Sequence, residues 1–368
     1  MTLSDIIYLR CVDCKKTLKV LERDLEETVV INALLQCMSC GRHFPIIDKV
    51  GIFFKKDFAL DYLLPNEIKK IQECHYDVVL KELPPSTSGN PEPQFNGFNT
   101  YDHYWEQVQV FEEEDFLKND YTSRELFKRF IPINFEDFQE KTIFIACGGG
   151  GRDTYHVLQY NPKKVFIVEI TSALYRYNKL FPKNMDKLVL LRGDLRFLPI
   201  QNNVADISIC DHALQHVQNH KIGFKSLAET TKPKGSIGIC VYSYENNLLM
   251  THLIEPLKGL LIKIPRSILR LLSLFPAIGI WLIIHLIYMP LNKILPDLSK
   301  NLFLNEHMIF WSKLSLKSIW AACYDLMTAP VSYHFKKSEL EEIAFSHSLQ
   351  IIKLVNTHST TWSMICER

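Results

Sequence analysis

The sequence lacks an excess of either charge, since its 42 lysines and arginines are matched by 41 acidic residues. This balance argues against a general nucleic-acid binder, although a local basic patch remains open. The first residues have no basic start followed by an apolar run, so we predict no secretory signal and a cytoplasmic protein. Ten cysteines in 368 residues are too few for a disulfide scaffold, and paired cysteines in a reducing compartment indicate metal binding.

Four of the cysteines form two CxxC pairs that are separated by 22 residues. The pairs are Cys11 with Cys14 and Cys37 with Cys40, and Gly41 directly follows the second pair. Two such turns place four thiolates around a tetrahedral Zn²⁺, and a closed site of this kind is structural. We therefore predict a structural zinc site, in preference to a chance pairing or a redox-active CxxC.

The segment around these pairs, residues 8–54, resembles the small zinc ribbon of the tRNA-methyltransferase-activator type. In that family the second CxxCG runs into an aromatic-Pro-Ile-x-Asp-Gly segment. The corresponding residues here are 44–51, in which the glycine, Gly51, comes later than in the family. Because such ribbons often precede methyltransferase domains, the resemblance directs attention to the glycines farther along the chain.

The middle of the chain is expected to connect the ribbon to a second domain. Residues 84–98 are rich in Pro, Ser, Gly and Asn and are predicted to form a linker or long loop. Residues 101–130 are rich in aromatic and acidic side chains. We expect these aromatic side chains to pack a helix onto a sheet, and the alternative is that they line a substrate mouth.

From residue 140 onward, short apolar runs alternate with helical segments, which predicts a Rossmann-like, doubly wound parallel sheet. Strands are expected at 141–147, 164–170, 187–195, 204–211 and 236–243. A helix over 336–348 and two further strands, 349–356 and 360–368, complete the fold. Ligands of such sheets bind at the carboxyl ends of the strands, which is where four consecutive glycines, Gly148–Gly151, follow the first strand.

This glycine run does not fit two common phosphate-binding patterns. The dinucleotide pattern GxGxxG requires a third glycine where Asp153 or Thr154 stands, and the Gly-Lys-Ser/Thr end of a P-loop is absent. A turn of bare glycines suits a ligand that has no pyrophosphate, because it lets the backbone pass close to that ligand.

Carboxylates follow the next two predicted strands. Glu169 ends the second strand, 18 residues after Gly151, and can accept hydrogen bonds from both ribose hydroxyls of an adenosine. Asp194 follows the third strand and can accept from the adenine amine. A glycine turn and these two acids in this order predict an S-adenosylmethionine pocket, with solvated loop carboxylates as the alternative.

The ordered set resembles the class I S-adenosylmethionine-dependent methyltransferases, in particular the type 11 group. The matching segments are 147–152, 168–170, 193–199, 205–207, 213–217 and 232–235. The resemblance implies a cofactor site made by Cys147, Gly148, Gly149, Gly150, Gly151, Glu169, Asp194, Leu195 and Asp211. Two positions depart from the family, which has glycine at Cys147 and an acid at Ile145. Because of these departures, the chain could alternatively be a methyltransferase-fold protein that binds ligands without catalysing methyl transfer.

Methyl transfer needs positioning and, where the acceptor must lose a proton, a base. The end of the fourth strand faces the cofactor in this architecture, so Asp211 and His212 are the candidate catalytic residues. His216 is expected to pack structurally. The Asp/Asn-Pro-Pro-aromatic motif of N-methyltransferases is absent, which disfavours amide or nucleobase amines as acceptors.

An apolar insertion separates the fifth strand from the last helix. Residues 271–289 carry no charged side chain and are long enough to cross a bilayer. A single crossing would put the strands before and after it on opposite sides of the membrane, and we expect Pro276 to break the run. A buried lid or dimer surface and a peripheral membrane contact through residues 252–294 remain the two main interpretations. Five basic residues favour the second one: Lys258, Lys263, Arg266, Arg270 and Lys293.

The sequence thus predicts an α/β protein with five segments. These are a zinc-ribbon domain (1–57), a linker and aromatic segment (58–118), a methyltransferase domain (119–245), a mainly helical apolar insertion (246–335) and the end of the methyltransferase domain (336–368). The predicted function is methyl transfer from S-adenosylmethionine to a small, lipophilic acceptor, and Tyr324, Tyr333 and His334 are candidates to line its pocket. The alternatives are an RNA methyltransferase whose ribbon contacts RNA and a non-catalytic binding protein.

Overall fold

The computed structural model describes residues 1–85, 93–118, 120–248, 250–261, 264–330 and 332–368. Residues 86–92 of the predicted linker over 84–98, and the flanking Lys263, lie outside the described residues. Residues 93–98 of that segment do not form the predicted loop, because they begin the helix Pro93–Lys118. In the described part of the chain, eleven strands form one sheet. The strands are β1 (Leu18–Glu26), β2 (Val29–Cys37), β3 (His43–Ile47), β4 (Val50–Phe53), β5 (Thr142–Ala146), β6 (Lys164–Glu169), β7 (Leu188–Gly193), β8 (Ala205–Asp211), β9 (Thr231–Tyr242), β10 (Gln350–Thr357) and β11 (Thr361–Glu367).

The strand order across the sheet is β1-β2-β3-β4-β7-β6-β5-β8-β9-β11-β10. Strands β5 to β9 run parallel and are buried on both faces, which is why they read as continuous apolar runs in the sequence. From β5 the chain builds outward through β6 and β7, and then returns to the other side of β5 to form β8 and β9. The switch point therefore lies between β5 and β8, and the predicted doubly wound fold is confirmed.

The four-cysteine segment is part of this sheet. β3 and β4 form a hairpin, and β4 then pairs in parallel with β7, from Val50 opposite Leu190 to Phe53 opposite Gly193. The approach is close, since a Cβ on Gly193 would lie 3.0 Å from the carbonyl oxygen of Phe53. The N-terminal segment therefore extends the doubly wound sheet at one edge.

A buried arginine at the end of β7 fixes this junction. Arg192 is fully buried, and its guanidinium forms an ion pair with the buried Glu67. It also donates to the carbonyl oxygens of Tyr62 (2.7 Å) and Ile170 (3.0 Å). Breaking a buried pair of this kind by removing one partner costs about 3–5 kcal/mol, so the sheet and the segment that follows the ribbon are strongly coupled.

The helices cover both faces of the sheet and build the insertion. They are α1 (Ala59–Tyr62), α2 (Pro65–Glu73), α3 (Val78–Lys81), α4 (Pro93–Lys118), α5 (Asp120–Phe130), α6 (Arg152–Leu158), α7 (Tyr177–Leu180), α8 (His220–Thr230), α9 (Glu255–Leu261), α10 (Arg266–Leu272), α11 (Leu274–Ile283), α12 (Met289–Ile294), α13 (Pro296–Ser299), α14 (Asn305–Trp311), α15 (Leu316–Thr328) and α16 (Lys337–Ser346).

The C-terminal segment closes the sheet as predicted. α16 leads into β10, and β11 inserts antiparallel between β10 and β9, with Thr361 opposite Tyr242. The strands on either side of the insertion are thus direct neighbours in one sheet. Both ends of the insertion consequently lie on the same side of any membrane that the protein contacts.

Within the insertion, Arg266–Ile294 form one long apolar helix with a mean hydropathy of 2.1 over its most apolar window. It includes α10, α11, a π-helical turn and α12. By length and composition it could cross a membrane, and only 17% of that window is buried in the protein. A fully buried lid helix is therefore not what the structure shows. The run is interrupted at one residue, Ser273, between α10 and α11, and it continues past Pro276, which lies in the first turn of α11, where a backbone amide donor is not required.

Candidate functional site

The loop that follows β5 carries the glycines, and its backbone shows why glycine is needed there. Gly149 and Gly151 have positive φ, +49° and +101°. A Cβ on Gly149 would lie 2.6 Å from Cζ2 of Trp105, and one on Gly148 would lie 2.4 Å from Cγ2 of Ile167. The loop is therefore closed between the sheet on one side and the ring of Trp105 on the other.

Cys147 stands where the resembling family has glycine, and it adopts the conformation that favours glycine, with φ +57°. Its amide donates to the carbonyl oxygen of Val168 over 2.7 Å, which holds the start of the loop. A left-handed conformation costs a non-glycine residue about 1–2 kcal/mol. The loop thus keeps its shape despite the substitution, at the expense of local strain. The second departure, Ile145, is fully buried in the sheet beneath the loop and offers it no polar group.

Glu169 lies at the end of β6, next to the loop, and is 5% exposed. Its Oε2 accepts from the amide of Gly149 and its Oε1 from the amide of Thr171, both over 3.0 Å. Each carboxylate oxygen has more than one lone-pair site, so both oxygens can still accept a hydroxyl from a ligand. This arrangement fits a carboxylate that binds the ribose of an adenosine.

The loop, Glu169 and the end of β8 surround a cavity of about 200 Å³. Seven of the predicted site residues line it, namely Cys147, Gly148, Gly149, Gly150, Glu169, Asp211 and His212. Eight further lining residues were not predicted as site residues, namely Tyr101, Trp105, Arg152, Asp153, Ile170, Ala213, His216 and Val217. The aromatic side chains of α4 therefore do line the mouth of the site, and His216, expected only to pack, faces it too.

Three predicted cofactor residues do not line the cavity. Gly151 caps the start of α6, and Leu195 is buried. Asp194 accepts from the amide of Arg196 over 2.8 Å and forms an ion pair with the Arg196 guanidinium. Its carboxylate is thus held by the protein itself, and a contact between Asp194 and an adenine amine stays a prediction.

A charged network lies on the floor of the cavity, between the start of α6 and the end of β8. Arg152 forms ion pairs with Asp211 and with Asp153, and Oδ1 of Asp211 lies 2.6 Å from Nδ1 of His212. Burial alone would raise the pKa of Asp211, but His212 and Arg152 outweigh it and lower that pKa. Asp211 is therefore an anion whose partners are already in place.

His212 is the second candidate base from the sequence. Burial alone would lower its pKa, but the Cys240 sulfur and the Asp211 carboxylate outweigh burial and raise that pKa well above its usual value. A histidine that already holds its proton is a weak proton acceptor at neutral pH. In this arrangement, Asp211 and His212 are better suited to holding a pair of opposite charges in the site than to removing a proton.

A second cavity of about 310 Å³ adjoins the first, and the two share Arg152 and His212 in their walls. α4, α5, α14 and α15 provide most of the lining, which is largely apolar. The lining residues include Tyr104, Val108, Phe116, Leu126, Phe130, Tyr242, Phe310, Leu314, Ala321, Ala322 and Asp325. The insertion thus builds one wall of a pocket that opens beside the glycine loop.

Asp325, on α15, is the carboxylate of this second cavity. No hydrogen bond or ion pair from the described part of the chain reaches its side chain. Burial raises the pKa of Asp325 to about 6, against the opposing effect of the Lys258 and His212 cations. A carboxylate with this pKa is an effective base near neutral pH.

Three residues that the sequence suggested for an acceptor pocket do not line the second cavity. Tyr324 stacks on Tyr104 with a ring-centroid distance of 6.2 Å. Tyr333 donates to Glu339 over 2.6 Å, and His334 packs on Tyr242 with a centroid distance of 5.6 Å. Tyr324 and His334 therefore pack against residues that line this cavity, whereas Tyr333 packs against His220.

The four N-terminal cysteines come together as their spacing predicts. Cys14 Sγ lies 3.3 Å from Cys37 Sγ and 3.7 Å from Cys40 Sγ, and all four sulfurs lie within 4.8 Å of one another. Tetrahedral Zn²⁺ with bonds of about 2.3 Å separates its sulfur ligands by about 3.8 Å. The positions of the sulfurs therefore fit a four-thiolate zinc site.

Comparison with known proteins agrees with this geometry. Residues 144–239 match the family model described as a methyltransferase domain, and no curated protein matches the sequence. The matched segment runs from β5 to β9 and contains the glycine loop, Glu169 and Asp211. This part of the chain is therefore similar to a methyltransferase domain. It is joined to an N-terminal four-cysteine segment that resembles a zinc ribbon of the methyltransferase-activator type.

Several solved structures are similar at low sequence identity. A chain of the complex between the Haloferax volcanii Trm112 methyltransferase activator and a methyltransferase is 12% identical, with a TM-score of 0.42 over 73% of this chain and 96% of that one. An S-adenosylmethionine-dependent methyltransferase from Aquifex aeolicus is 11% identical, with a TM-score of 0.35 over 67% and 96%. The 1,6-didemethyltoxoflavin-N1-methyltransferase of Burkholderia thailandensis is 9% identical, with a TM-score of 0.37 over 73% and 90%.

Proposed function

We propose that this protein transfers the methyl group of S-adenosylmethionine to a small, lipophilic acceptor. The observation that carries this proposal is the pair of adjoining cavities, one beside the glycine loop and Glu169, the other apolar, which share Arg152 and His212. A cofactor cavity that continues into an apolar pocket suits transfer to an apolar acceptor.

In the first cavity, the protein offers the groups that an adenosine with a methionine tail needs. Glu169 would accept the ribose hydroxyls, and the backbone of Gly148–Gly150 would let the methionine end pass close to the loop. Trp105 and Tyr101 would cover the ligand and exclude water. The cofactor supplies an activated methyl group, and the chain's own residues orient it toward the second cavity.

In the second cavity, aromatic and aliphatic side chains would hold the acceptor, and Asp325 would remove its proton. In the transfer, the bond between sulfur and the methyl carbon breaks as the bond from the acceptor to that carbon forms. The acceptor's proton passes to Asp325, and Arg152 and His212 balance the carboxylates of the site. A phenolic hydroxyl, an acidic carbon or another weakly acidic group matches a base with a pKa near neutral.

The four thiolates near the N-terminus would hold a structural Zn²⁺, with no open position for a substrate. We place this zinc outside the reaction, since the four-cysteine segment joins the sheet at the β4 edge.

Calorimetric titration with S-adenosylmethionine and S-adenosylhomocysteine, with NAD as the control ligand, tests the cofactor. Micromolar binding of the first two alone would support the proposal and justify an acceptor screen among quinones, phenols and lipids. Absence of binding would instead favour the non-catalytic alternative and make Ile145 and Cys147 the residues to revert. Salt-dependent binding of RNA would favour the RNA methyltransferase alternative.

A further inference from the structure

The long helix of the insertion presents apolar side chains to the outside along most of its length. Phe275 and Leu286 are each 69% exposed and Leu271 is 63% exposed. The other large exposed apolar residues of the helix are Ile268, Leu272, Ile278, Leu282, Ile283, Ile287, Met289 and Ile294. Exposed apolar surfaces of this extent mark sites of protein or membrane contact.

Only a narrow stripe of this helix is used for packing inside the protein. Leu269, Ser273, Ala277 and Ile284 are buried, and the last two pack with Ile319 and Cys323 of α15. Trp320 adds a hydrogen bond, because its Nε1 donates to the Ser273 hydroxyl over 2.9 Å. The helix is therefore fixed to the protein along one side, and its exposed sides are a stable feature of the fold.

Charge around this face is predominantly positive. Arg266 at the start of the helix and Lys293 near its end are exposed. From Arg266 to Lys317 the sequence holds six basic and two acidic residues, whereas the whole chain is nearly neutral. Cations that flank an apolar face match the anionic headgroups of a bilayer. A second copy of this chain would instead bring the same positive charges together.

We propose that the helix Arg266–Ile294 lies in the surface of an anionic lipid bilayer and anchors the protein there. It does not cross the bilayer, because β9 and β11 flank the insertion and pair directly with each other. The helix is about 43 Å long at 1.5 Å per residue, and in this orientation its exposed sides are buried in the headgroup and upper acyl region.

The position of α15 links this anchor to the acceptor pocket. Its one face, with Ile319 and Cys323, packs on the membrane helix, and its other face, with Ala322 and Asp325, lines the second cavity. Only α15, with a diameter of about 10–12 Å, therefore separates the membrane helix from the pocket. We infer that the acceptor is a lipophile drawn from the membrane; this last step rests on the proposed function, whereas the docking does not.

Flotation of the full-length protein with lipid vesicles tests the docking. Phosphatidylcholine vesicles that contain phosphatidylglycerol should carry the protein with them, and vesicles of phosphatidylcholine alone should carry much less. The double variant Phe275→Glu/Leu286→Glu should weaken this binding by about tenfold or more, since two apolar side chains are replaced by charges. Phe345→Glu is the matched control, because Phe345 is 85% exposed on α16, outside the insertion, and it should bind like the unchanged protein.

Equal flotation of the double variant and the control would overturn the proposal, as would failure of the unchanged protein to bind anionic vesicles. Light scattering tests whether a second copy of the chain covers this face instead. If the unchanged protein is a dimer that does not bind vesicles, and the double variant is a monomer, the face would be assigned to a second copy. None of these readouts uses methyl transfer, so an error in the proposed function would leave vesicle binding intact.

Discussion

The amide of Gly149 donates to Oε2 of Glu169 over 3.0 Å, so the glycine loop and the candidate ribose-binding carboxylate are one unit. A ligand that bonds to Glu169 also stabilises the loop that approaches its other end. The switch point of the sheet thus supplies a preformed site, in which the loop and Glu169 are positioned before the cofactor arrives.

Replacing Glu169 by alanine should weaken S-adenosylmethionine binding by about tenfold to a hundredfold, the range for a lost hydrogen bond to a charged group. The affinity of Glu169→Gln should lie between those of the unchanged protein and Glu169→Ala, because the amide oxygen can still accept a hydrogen bond from one hydroxyl. Calorimetric titration measures both variants. Glu341→Gln, a change on exposed α16, is the control, and full affinity in Glu169→Ala would refute the assigned contact.

Replacing Gly149 by alanine should abolish cofactor binding and destabilise the fold by about 1–3 kcal/mol, since the residue has positive φ and its Cβ would meet the Trp105 ring. The control is Gly259→Ala, because Gly259 lies in α9 with nothing within 4 Å of a new Cβ. That change should stabilise by about 0.5–1 kcal/mol, the ordinary helical preference for alanine. Thermal unfolding compares the two, and similar results for both variants would contradict the strain argument.

Cys147→Gly tests whether the departure from the family pattern impairs the site. Because φ is +57° at this position, glycine should adopt the loop conformation without strain and raise stability by about 1 kcal/mol. Cofactor affinity should stay the same or rise. A loss of stability or affinity would show that the thiol itself contributes to the loop.

Asp325→Asn should lower the methylation rate by about a hundredfold or more, as expected for loss of a general base. The rate of the unchanged enzyme should rise with pH as the carboxylate, with its pKa near 6, loses its proton. That rising limb should vanish in the variant and persist in Asp297→Asn, which alters an exposed acid. An unaltered pH profile in Asp325→Asn would assign the base to another group.

The same substitution has a signature in stability that does not require the acceptor. Burial raises the pKa of Asp325 above its value in the unfolded chain, so folding takes up a proton in the interval between the two values. Below about pH 4 the carboxyl is protonated in both the folded and the unfolded chain, so its burial does not reduce the free energy of unfolding through ionisation. As pH rises through about 6, the unfolded chain ionises this group more readily than the folded chain does, and the free energy of unfolding falls. Asp325→Asn should therefore stabilise the protein by about 1–3 kcal/mol at pH 7 and have little effect at pH 4, as chemical denaturation at both values would show.

Cys37→Ser should release the metal, since three thiolates leave an open position in a tetrahedral site. Because β4 pairs with β7, loss of the metal should lower the unfolding temperature of the whole chain in one transition. Cys74→Ser, a cysteine outside the cluster, should keep both zinc and stability. Unchanged zinc content in Cys37→Ser would remove the four-cysteine site.

The strands, the glycine loop, Glu169 and the four cysteines could be predicted because each signal is local. Apolar runs mark the buried strands, and short spacings bring the thiolates together. Pairings over long sequence distances could not be predicted this way. The contacts of Trp105 with Gly149 and of α15 with the second cavity depend on how distant helices pack, and no local pattern reports them.

Asp194 shows a further limit of sequence reasoning. Its position after β7 fits the adenine contact of the resembling family, but Arg196, two residues later, forms an ion pair with it. Side-chain orientation within a short turn decides between the two roles, and residue type alone does not. Asp325 is the converse case, since nothing near it in the sequence distinguishes it from other helical acids.

The parallel pairing of β4 with β7 also has a consequence for synthesis. β4 ends at residue 53 and emerges from the ribosome early in synthesis. Its partner β7 comprises residues 188–193 and is synthesised much later. At about 5–20 residues per second, the nascent chain carries an unpaired strand edge for on the order of ten seconds. Such an edge invites pairing with other chains. If the four-cysteine segment binds its metal soon after synthesis, it would keep β4 folded against β3 until β7 has been synthesised.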